Sequence, residues 1–261
     1  MNHTAALAQM HIEPGQVDRN LATAVAMIRE AARLNTSFVL LPELWSSGYD
    51  LEHARDQAAE SPRIVAELIR LAGETGICIG GSLLQAAPGG LYNTFHWVDP
   101  SRPETTTYSK IHLFRLMQEE QWLQPGDAPR WVETAWGRSG LAVCYDLRFP
   151  ELFRRYALEG ATSFLLSSEW PVRRIEHWQI LLRARAIENQ ACFAAVNCVG
   201  AGKTDQFGGR SAVLDPWGNV LAEGSSSEEE LIVAPWNLEE VEKVRSFMPV
   251  FADRRPDLYA G

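Results

Sequence analysis

The stretch LAVCYDLRFPE, residues 141–151, places one cysteine at the point where an apolar run gives way to charged residues. Its first three residues have the composition of a buried strand, and Cys144 follows them directly. Asp146 and Arg148 come next, and we expect these two side chains to pair and brace the turn. A cysteine that only fills space needs no charged neighbours, whereas a cysteine that must ionise and attack a substrate does. The stretch therefore predicts a nucleophilic thiol at the end of a buried strand.

The composition is that of an ordinary globular protein, since 46% of the 261 residues are hydrophobic and 22% are charged. A chain of this length can bury a full core, and we expect residues 1–261 to form a single domain. The net charge of -9 argues against binding a nucleic acid or an anionic membrane through bulk charge. A small anionic substrate is still compatible with this charge, because a pocket can be locally basic.

Cysteine usage and the N-terminal sequence predict a cytoplasmic protein with reduced thiols. The first fifteen residues lack the basic start and apolar core of a signal peptide, and no apolar run approaches the roughly 20 residues of a membrane helix. No paired metal-ligand spacing such as HExxH is present, so we expect no metal. No CxxC spacing occurs, which argues against a zinc ribbon or a redox pair, among the four cysteines Cys78, Cys144, Cys192 and Cys198.

Strand-like apolar runs alternate with helical patterns along the chain. The predicted strands are 5–10, 37–41, 77–80, 91–98, 105–109, 140–145, 161–167, 191–199, 211–215 and 220–222. The predicted helices are 16–34, 61–74, 150–159 and 174–190, the second of them opened by Ser61 as cap and Pro62 in the first turn. Such alternation predicts an α/β fold, and the hairpins near the middle and the end predict mixed sheets.

Three residues with catalytic chemistry each follow a predicted strand. Glu43 follows SFVLLP, Lys110 follows TTTYS, and Cys144 follows LAV. Because sites in α/β sheets form at the carboxyl ends of strands, we expect these side chains to meet in one cleft. There a carboxylate can take the thiol proton, and a lysine can stabilise the oxyanion of a tetrahedral intermediate. The backbone N–H of Tyr145 would be a second oxyanion donor, and the constellation predicts hydrolysis of an amide or nitrile-type carbon through a thioester.

Over nearly its whole length the chain resembles the nitrilase, or carbon–nitrogen hydrolase, superfamily. LLPELWSSGY, YSKIHLF and CYDLRFPE match the glutamate, lysine and cysteine motifs of that superfamily, and HWQILLRARAIENQ, GGRSAVLDPWGNV and RRPDLY also match. The resemblance implies a four-layer α-β-β-α sandwich, with Glu43 as general base, Lys110 as oxyanion stabiliser and Cys144 as nucleophile. It implies no cofactor, and a homodimer or larger homo-oligomer whose C-terminal segment, about 237–261, lies at the interface.

The resemblance also implies a second active-site glutamate between the lysine motif and a Pro-Gly pair. Glu119 fits this position, and the adjacent Glu120 is left open as an alternative. In the superfamily this glutamate orients the lysine and helps to position the substrate.

The segment SSEWPVRRIEHW, which ends at Trp178, is most similar to the omega-amidase branch. Enzymes of that branch release ammonia from 2-oxoglutaramate or 2-oxosuccinamate. The substrate carboxylate would need a cation, and Arg174 is the first candidate, although Arg173 is equally near in sequence. Trp170 would form an apolar wall, and Tyr49 would donate a hydroxyl. A deaminated-glutathione amidase, an N-carbamoyl amino acid amidohydrolase or a nitrilase would share the same catalytic residues.

One segment suggests a different function, nucleotide binding. NCVGAGKT, residues 197–204, nearly matches the phosphate-binding loop G-x-x-x-x-G-K-[ST]. Its first residue is Asn197 instead of glycine, and DQFGGRS, which follows it, cannot form the helix whose N-terminus would hold phosphate. We therefore expect this segment to be a loop over the cleft. A serine hydrolase is disfavoured too, because no G-x-S-x-G motif is present.

Overall fold

The computed structural model describes residues 3 to 259 as two six-stranded mixed sheets with helices packed outside them. The strands are, in chain order, β1 (His3–Gln9), β2 (Phe38–Leu40), β3 (Cys78–Ala87), β4 (Gly90–Val98), β5 (Thr106–Ser109), β6 (Trp131–Thr134), β7 (Gly137–Val143), β8 (Ser163–Ser168), β9 (Cys192–Asn197), β10 (Val199–Ala201), β11 (Gln206–Gly208), β12 (Ala212–Leu214), β13 (Val220–Glu223) and β14 (Glu230–Trp236).

The helices lie on both outer faces of the sheet pair. They are α1 (Val17–Arg33), α2 (Ala54–Thr75), α3 (Glu119–Trp122), α4 (Pro150–Leu158), α5 (Ile175–Asn189), α6 (Glu239–Phe247) and α7 (Pro256–Tyr259). Short 3₁₀ segments cover Leu51–His53, Arg115–Met117, Cys144–Arg148 and Val172–Arg174. Across residues 3–259 no helix combines the length and apolar character needed to cross a membrane.

The strand order explains how distant residues meet. One sheet has the order β14-β1-β2-β3-β4-β5 and the other has the order β13-β12-β9-β8-β7-β6, while β10 and β11 form a separate hairpin. The central strands β1, β2 and β3 run parallel to one another, and so do β7, β8 and β9. The predicted four-layer α-β-β-α architecture is thereby confirmed. The inner faces of both sheets share one apolar core, and Ser167 at the end of β8 donates a hydrogen bond of 2.8 Å to the carbonyl of Leu41 beyond β2.

Most predicted elements are present, but the second helix was predicted to start too late. α2 begins at Ala54, so Pro62 lies inside the helix instead of in its first turn. Ser61 does not cap the helix, because its hydroxyl donates to the carbonyl of Leu84 in β3. Buried apolar residues occur on both sides of the proline, including Ala58 and Ile64. Their packing stabilises the helix enough to tolerate the hydrogen bond that proline removes.

The third strand was predicted to end at Gly80, but β3 continues to Ala87. The glycine pair there is required by close packing and does not mark a turn. A Cβ atom on Gly80 would lie 2.8 Å from Leu40 and 2.9 Å from Phe95. Glycine is therefore the residue that lets β3 lie against its neighbours at this point.

Candidate active site

Cys144 occupies a strained turn at the end of β7. It begins the 3₁₀ segment Cys144–Arg148 with a backbone φ of +42°, in the left-handed region that non-glycine residues rarely adopt. The thiol is only 4% exposed and donates a long hydrogen bond of 3.9 Å to the carbonyl of Glu169. The N–H groups that open a helical segment lack partners within it, and Tyr145 is the second residue of this segment. The turn therefore places the thiol at the start of a helical segment, and the role of the Tyr145 N–H as an oxyanion donor stays a prediction.

Asp146 braces this turn, but not through the predicted pairing with Arg148. The buried Asp146 carboxylate accepts hydrogen bonds from the Val143 N–H at 2.9 Å and the Tyr108 hydroxyl at 2.7 Å. Its other oxygen lies 2.7 Å from Nδ1 of His112. These partners satisfy the carboxylate without an arginine. The prediction was wrong because sequence proximity favoured Arg148, whereas the side-chain partners come from β5 and the loop after it.

Glu43 lies at the end of the β2 segment, fully buried, and its two oxygens have different roles. Oε1 accepts hydrogen bonds from the Asn93 side chain at 2.8 Å and from Nζ of Lys110 at 2.8 Å, and the Tyr49 hydroxyl lies 2.7 Å away. Oε2 accepts one hydrogen bond, of 3.0 Å, from the backbone N–H of Glu169. Oε2 is thus the oxygen that retains capacity to accept a proton from a thiol.

Lys110 is shared by two buried carboxylates. Its Nζ lies 2.8 Å from Oε1 of Glu43 and 2.6 Å from Oε1 of Glu119, and the Tyr49 hydroxyl oxygen is 3.3 Å away. Burial alone lowers the pKa of Lys110, but the two carboxylates outweigh burial and raise it, so the ammonium stays charged. A fixed, fully buried cation next to the thiol is suited to stabilising an oxyanion.

The structure brings Glu119 into the site and leaves Glu120 exposed on the surface. Besides Lys110, Glu119 accepts a hydrogen bond of 2.6 Å from the backbone N–H of Phe114 through its other oxygen. The Tyr49 hydroxyl is 2.5 Å from Glu119, so Tyr49 bridges the two glutamates and is not free to donate elsewhere. Burial raises the pKa of Glu119, and the negative charge of Glu43 adds to this, although Lys110 opposes both effects.

Burial also controls the acidity of the thiol. The pKa of Cys144 is raised above that of a free cysteine, first by burial and then by the negative charge of Glu43, while Lys110 acts in the opposite direction. The thiol is therefore protonated before reaction. A carboxylate that accepts the proton as the thiol attacks is then needed, and Glu43 is the group placed to do so.

Glu169 is a part of the site that sequence reasoning missed. Its backbone N–H donates to Glu43 and its backbone carbonyl accepts from Cys144, so one residue's main chain touches both reactive groups. Its side chain is buried, and burial raises the pKa of the carboxyl, with Glu43 adding to the shift. The available signal was its position directly after β8, which matches the strand-end positions of the three predicted residues.

Two of the predicted substrate-binding residues, Trp170 and Arg174, contact each other, because the indole N–H of Trp170 donates a hydrogen bond of 2.8 Å to the backbone carbonyl of Arg174. The Trp170 ring is buried and lies 4.8 Å from the guanidinium of Arg148, while the guanidinium of Arg174 lies 5.4 Å from the Phe114 ring. Burial lowers the pKa of Arg148, and the nearby charge of Arg174 adds to this. In the described part of the chain, neither arginine has a carboxylate within ion-pair distance.

Arg173, the open alternative to Arg174, is bound elsewhere. Its guanidinium pairs with Asp205 at 2.6 Å, and 58% of its side chain is exposed. The sequence could not separate the two neighbouring arginines, but the turn that carries them directs them to different partners.

The segment that resembles a phosphate-binding loop contains β10 and the turn that leads to β11, and this turn lies beside Tyr49 at the surface. Lys203 pairs with Asp50, and Glu52 lies 3.5 Å from the same ammonium. Lys203 also lines, with Tyr49 and Trp122, a cavity of about 160 Å³ that opens to the surface. The lysine that would hold phosphate is thus neutralised by carboxylates, as expected for a loop over the cleft.

Comparisons with known proteins agree with this geometry. A model of the family described as "Carbon-nitrogen hydrolase" matches residues 4–246. The chain is 38% identical to a 2-oxoglutaramate amidase of Bacillus subtilis (strain 168), over 99% of this chain and 100% of that protein. It is 34% identical to the human omega-amidase NIT2, over 98% of this chain and 96% of that protein. A carbon–nitrogen hydrolase of Helicobacter pylori G27 superposes with a TM-score of 0.93 at 26% identity, covering 99% and 97% of the two chains.

Proposed function

The chain belongs to the carbon–nitrogen hydrolase family, and from this premise we propose that it is an omega-amidase. Its substrate would be the terminal amide of a 2-oxo acid such as 2-oxoglutaramate or 2-oxosuccinamate, and its products ammonia and a dicarboxylate. The observation that carries this proposal is the pair Arg148 and Arg174, two cations close enough to influence each other's charge and without a carboxylate partner among residues 3–259. The names of the two similar amidases support it.

The proposed reaction starts with attack of the Cys144 sulfur on the amide carbon. Oε2 of Glu43 accepts the thiol proton as the S–C bond forms, and Lys110 and the Tyr145 N–H stabilise the oxyanion. Glu43 then gives its proton to the nitrogen, the C–N bond breaks, and ammonia leaves a thioester on Cys144. A water molecule, deprotonated by Glu43, attacks the thioester and releases the carboxylic acid and the thiol.

Glu119 and Tyr49 support this chemistry by fixing the lysine. Glu119 holds one side of the Lys110 ammonium at 2.6 Å, and the Tyr49 hydroxyl lies between Glu119 and Glu43. Burial raises the pKa of Tyr49 well above that of a free tyrosine, and Glu119 adds to this, so the hydroxyl stays protonated. We therefore propose that Tyr49 positions the lysine and lines the mouth of the site, and that no cofactor takes part.

Recognition of the substrate carboxylate is assigned to Arg174. A guanidinium forms two parallel hydrogen bonds with a carboxylate, and the neighbouring Arg148 adds positive potential. Trp170 supplies the apolar wall against which the carbon chain of the substrate would lie. The negative net charge of the whole protein does not oppose this binding, because Arg148 and Arg174 provide positive charge where the substrate carboxylate would lie.

The substrate assignment predicts a selective effect of Arg174→Met. We expect KM for 2-oxoglutaramate to rise by about 30- to 160-fold, because one charge-assisted interaction of about 2–3 kcal/mol is lost. The matched control is Arg173→Met, whose guanidinium pairs with Asp205, and it should change KM less than about threefold. The measurement is ammonia release from 2-oxoglutaramate, 2-oxosuccinamate, deaminated glutathione, N-carbamoyl amino acids and nitriles. Preferred turnover of another compound, or equal effects of both variants, would contradict the assignment.

We further propose that residues 1–261 form one catalytic domain that assembles as a homodimer or larger homo-oligomer through the segment at 237–261. Phe247, in that segment, is 78% exposed, and its ring lies 6.0 Å from that of Trp217. Met248 and Ile187 extend this exposed apolar surface. Large apolar groups gathered on one face are typical of an interface. The last two residues of the segment lie outside the described range.

The oligomer proposal predicts dissociation by Phe247→Asp. Sedimentation equilibrium should give a mass near that of the 29.2 kDa chain for this variant and at least twice that mass for the unmodified protein. Leu34→Asp is the control, because Leu34 is also an exposed apolar residue but lies at the end of α1. A monomeric unmodified protein would refute the proposal.

Since Cys144 must act as a free thiol, we propose a reducing compartment such as the cytoplasm.

A further inference from the structure

Asn197, the first residue of the segment that resembles a phosphate-binding loop, holds the main chain of Trp170 from both sides. The side chain is fully buried at the end of β9. Its Oδ1 accepts the Trp170 N–H at 2.6 Å, and its Nδ2 donates to the Trp170 carbonyl at 3.2 Å. Nδ2 also donates to the carbonyl of Gly209 at 2.8 Å. The amide thus replaces a neighbouring strand at a point where backbone pairing has stopped.

The pairing of β8 with β9 ends at the Ser168 and Asn197 pair. The chain beyond it, Glu169 and Trp170, must leave the sheet and still keep a fixed position. Without the Asn197 amide, the Trp170 N–H and carbonyl would be buried without these partners, at a cost of about 1–3 kcal/mol for each group. The amide therefore determines where the peptide groups of residues 169 and 170 lie.

These peptide groups connect the two reactive side chains. The Glu169 N–H is 3.0 Å from Oε2 of Glu43, and the Glu169 carbonyl is 3.9 Å from Sγ of Cys144. A displacement of Trp170 would move Glu169 with it, and would change the direction of the Glu43 carboxylate relative to the thiol. Asn197 touches neither reactive group, so its influence on them passes entirely through the main chain.

We propose that Asn197 is a positioning residue that aligns the base Glu43 with the nucleophile Cys144 through the backbone of residues 169 and 170. The inference rests on the proposed roles of Glu43 and Cys144, but it does not depend on which amide is the substrate. It gives the phosphate-loop-like segment a function that the sequence did not indicate.

Ser211 provides a matched control within the same buried network. Its hydroxyl contacts the backbone N–H of Asn197 at 2.9 Å, the backbone carbonyl of Asn197 at 3.0 Å and the Gln9 side chain at 2.9 Å. Ser211 is fully buried, as Asn197 is, but it makes no hydrogen bond to residues 169 and 170. Ser211→Ala therefore removes the hydroxyl contacts with the backbone of Asn197 and with Gln9, and it leaves the hydrogen bonds between the Asn197 side chain and Trp170 in place.

The experiment compares Asn197→Ala, Asn197→Asp and Ser211→Ala by steady-state kinetics and by the rate at which iodoacetamide alkylates Cys144, followed by mass spectrometry. For Asn197→Ala we expect kcat to fall roughly 100-fold with KM changed less than about threefold, because a displacement near 1 Å has that effect on a reacting pair. Alkylation of Cys144 at neutral pH should slow by about tenfold, because proton transfer to Glu43 is impaired. Ser211→Ala should stay within about threefold of the unmodified protein in kcat and in alkylation rate.

Asn197→Asp keeps the oxygen that accepts from the Trp170 N–H and loses the N–H group that donates to the Trp170 carbonyl. We therefore expect a kcat between those of the unmodified protein and Asn197→Ala. This variant tests the proposal even if the alanine variant does not fold. Equal losses in kcat for Ser211→Ala and Asn197→Ala would overturn the proposal, as would unchanged alkylation in both Asn197 variants. The experiment also distinguishes failure of the positioning role from failure of the omega-amidase assignment. If no omega-amide is hydrolysed but alkylation still slows only in the Asn197 variants, the positioning role stands and the omega-amidase assignment fails.

Discussion

Replacement of Cys144 by alanine is expected to reduce hydrolysis of every amide by at least about 10⁴-fold, because it removes the sulfur that forms the thioester. Glu43 and Lys110 would remain in position, but a base and an oxyanion donor without a nucleophile retain little activity. The measurement is ammonia release under single-turnover conditions, with circular dichroism to confirm the fold. An alanine variant with activity comparable to the unmodified protein would refute the central role of the thiol.

The backbone conformation at residue 144 leads to a second, independent prediction, which concerns stability. Its φ of +42° disfavours any residue with a Cβ atom, whereas glycine adopts this region freely. Cys144→Gly should therefore be more stable to unfolding than Cys144→Ala, by about 1 kcal/mol, although both are inactive. Cys78 is the control, since it lies in the regular strand β3 and there alanine should be the more stable replacement. The opposite order at residue 144 would mean that the turn is not strained.

The sequence was sufficient to predict that three reactive side chains meet in one buried site, whereas their catalytic roles stay predictions. Glu43, Lys110 and Cys144 each follow a strand, and a strand end is visible as an apolar run that stops. The sequence could not show which of Glu119 and Glu120 is the active-site glutamate, because both precede the same turn. Only the path of the chain decides which one is buried. The choice between Arg173 and Arg174 was hidden for the same reason.

Contacts made by the main chain were beyond sequence reasoning altogether. The N–H and carbonyl of Glu169 would be the same groups in any residue except proline, so no residue type signals their role. Asn197 was noticed only as the residue that replaces the first glycine of a phosphate-binding-loop pattern, and that pattern gives no indication of a contact with Trp170. The side-chain partners of Asp146 come from β5 and the following loop, over 30 residues earlier in the chain. Such long-range pairing follows from the strand order, which local patterns do not specify.

The buried charges of the site constrain both function and stability. Lys110, Glu43 and Glu119 have fully buried side chains, and one cation serves two carboxylates. Because the pKa of Glu119 is raised in the folded protein, the folded state holds its proton more tightly than the unfolded chain does. Its contribution to stability is therefore greatest below the ordinary pKa near 4.5 and is lost as the pH rises through the folded-state value.

Replacement of Lys110 should show how much the two buried carboxylates depend on its positive charge. Lys110→Met leaves two buried carboxylates without a counter-charge, and we expect a loss of about 3–5 kcal/mol in the free energy of unfolding, together with loss of hydrolysis. The loss should be larger at pH 8 than at pH 5.5, because the proton that neutralises one carboxyl is less available at the higher pH. Urea unfolding of the variant at both pH values measures this difference.

The double variant Lys110→Met with Glu119→Gln tests the cause, since it removes one of the two stranded charges and keeps the shape of the side chain. It should recover at least about 1–2 kcal/mol of the lost stability at pH 8 and almost none of the activity, because the oxyanion donor is still missing. Lys243→Met is the surface control, because the Lys243 side chain is 66% exposed and pairs with Glu240. This variant should change the free energy of unfolding by no more than about 0.5 kcal/mol. If Glu119→Gln gave no recovery, lost packing around the lysine stem and not stranded charge would explain the instability. Recovery of stability without activity would instead show that Lys110 is retained for its charge in the reaction, since the fold can be kept by removing an opposing charge.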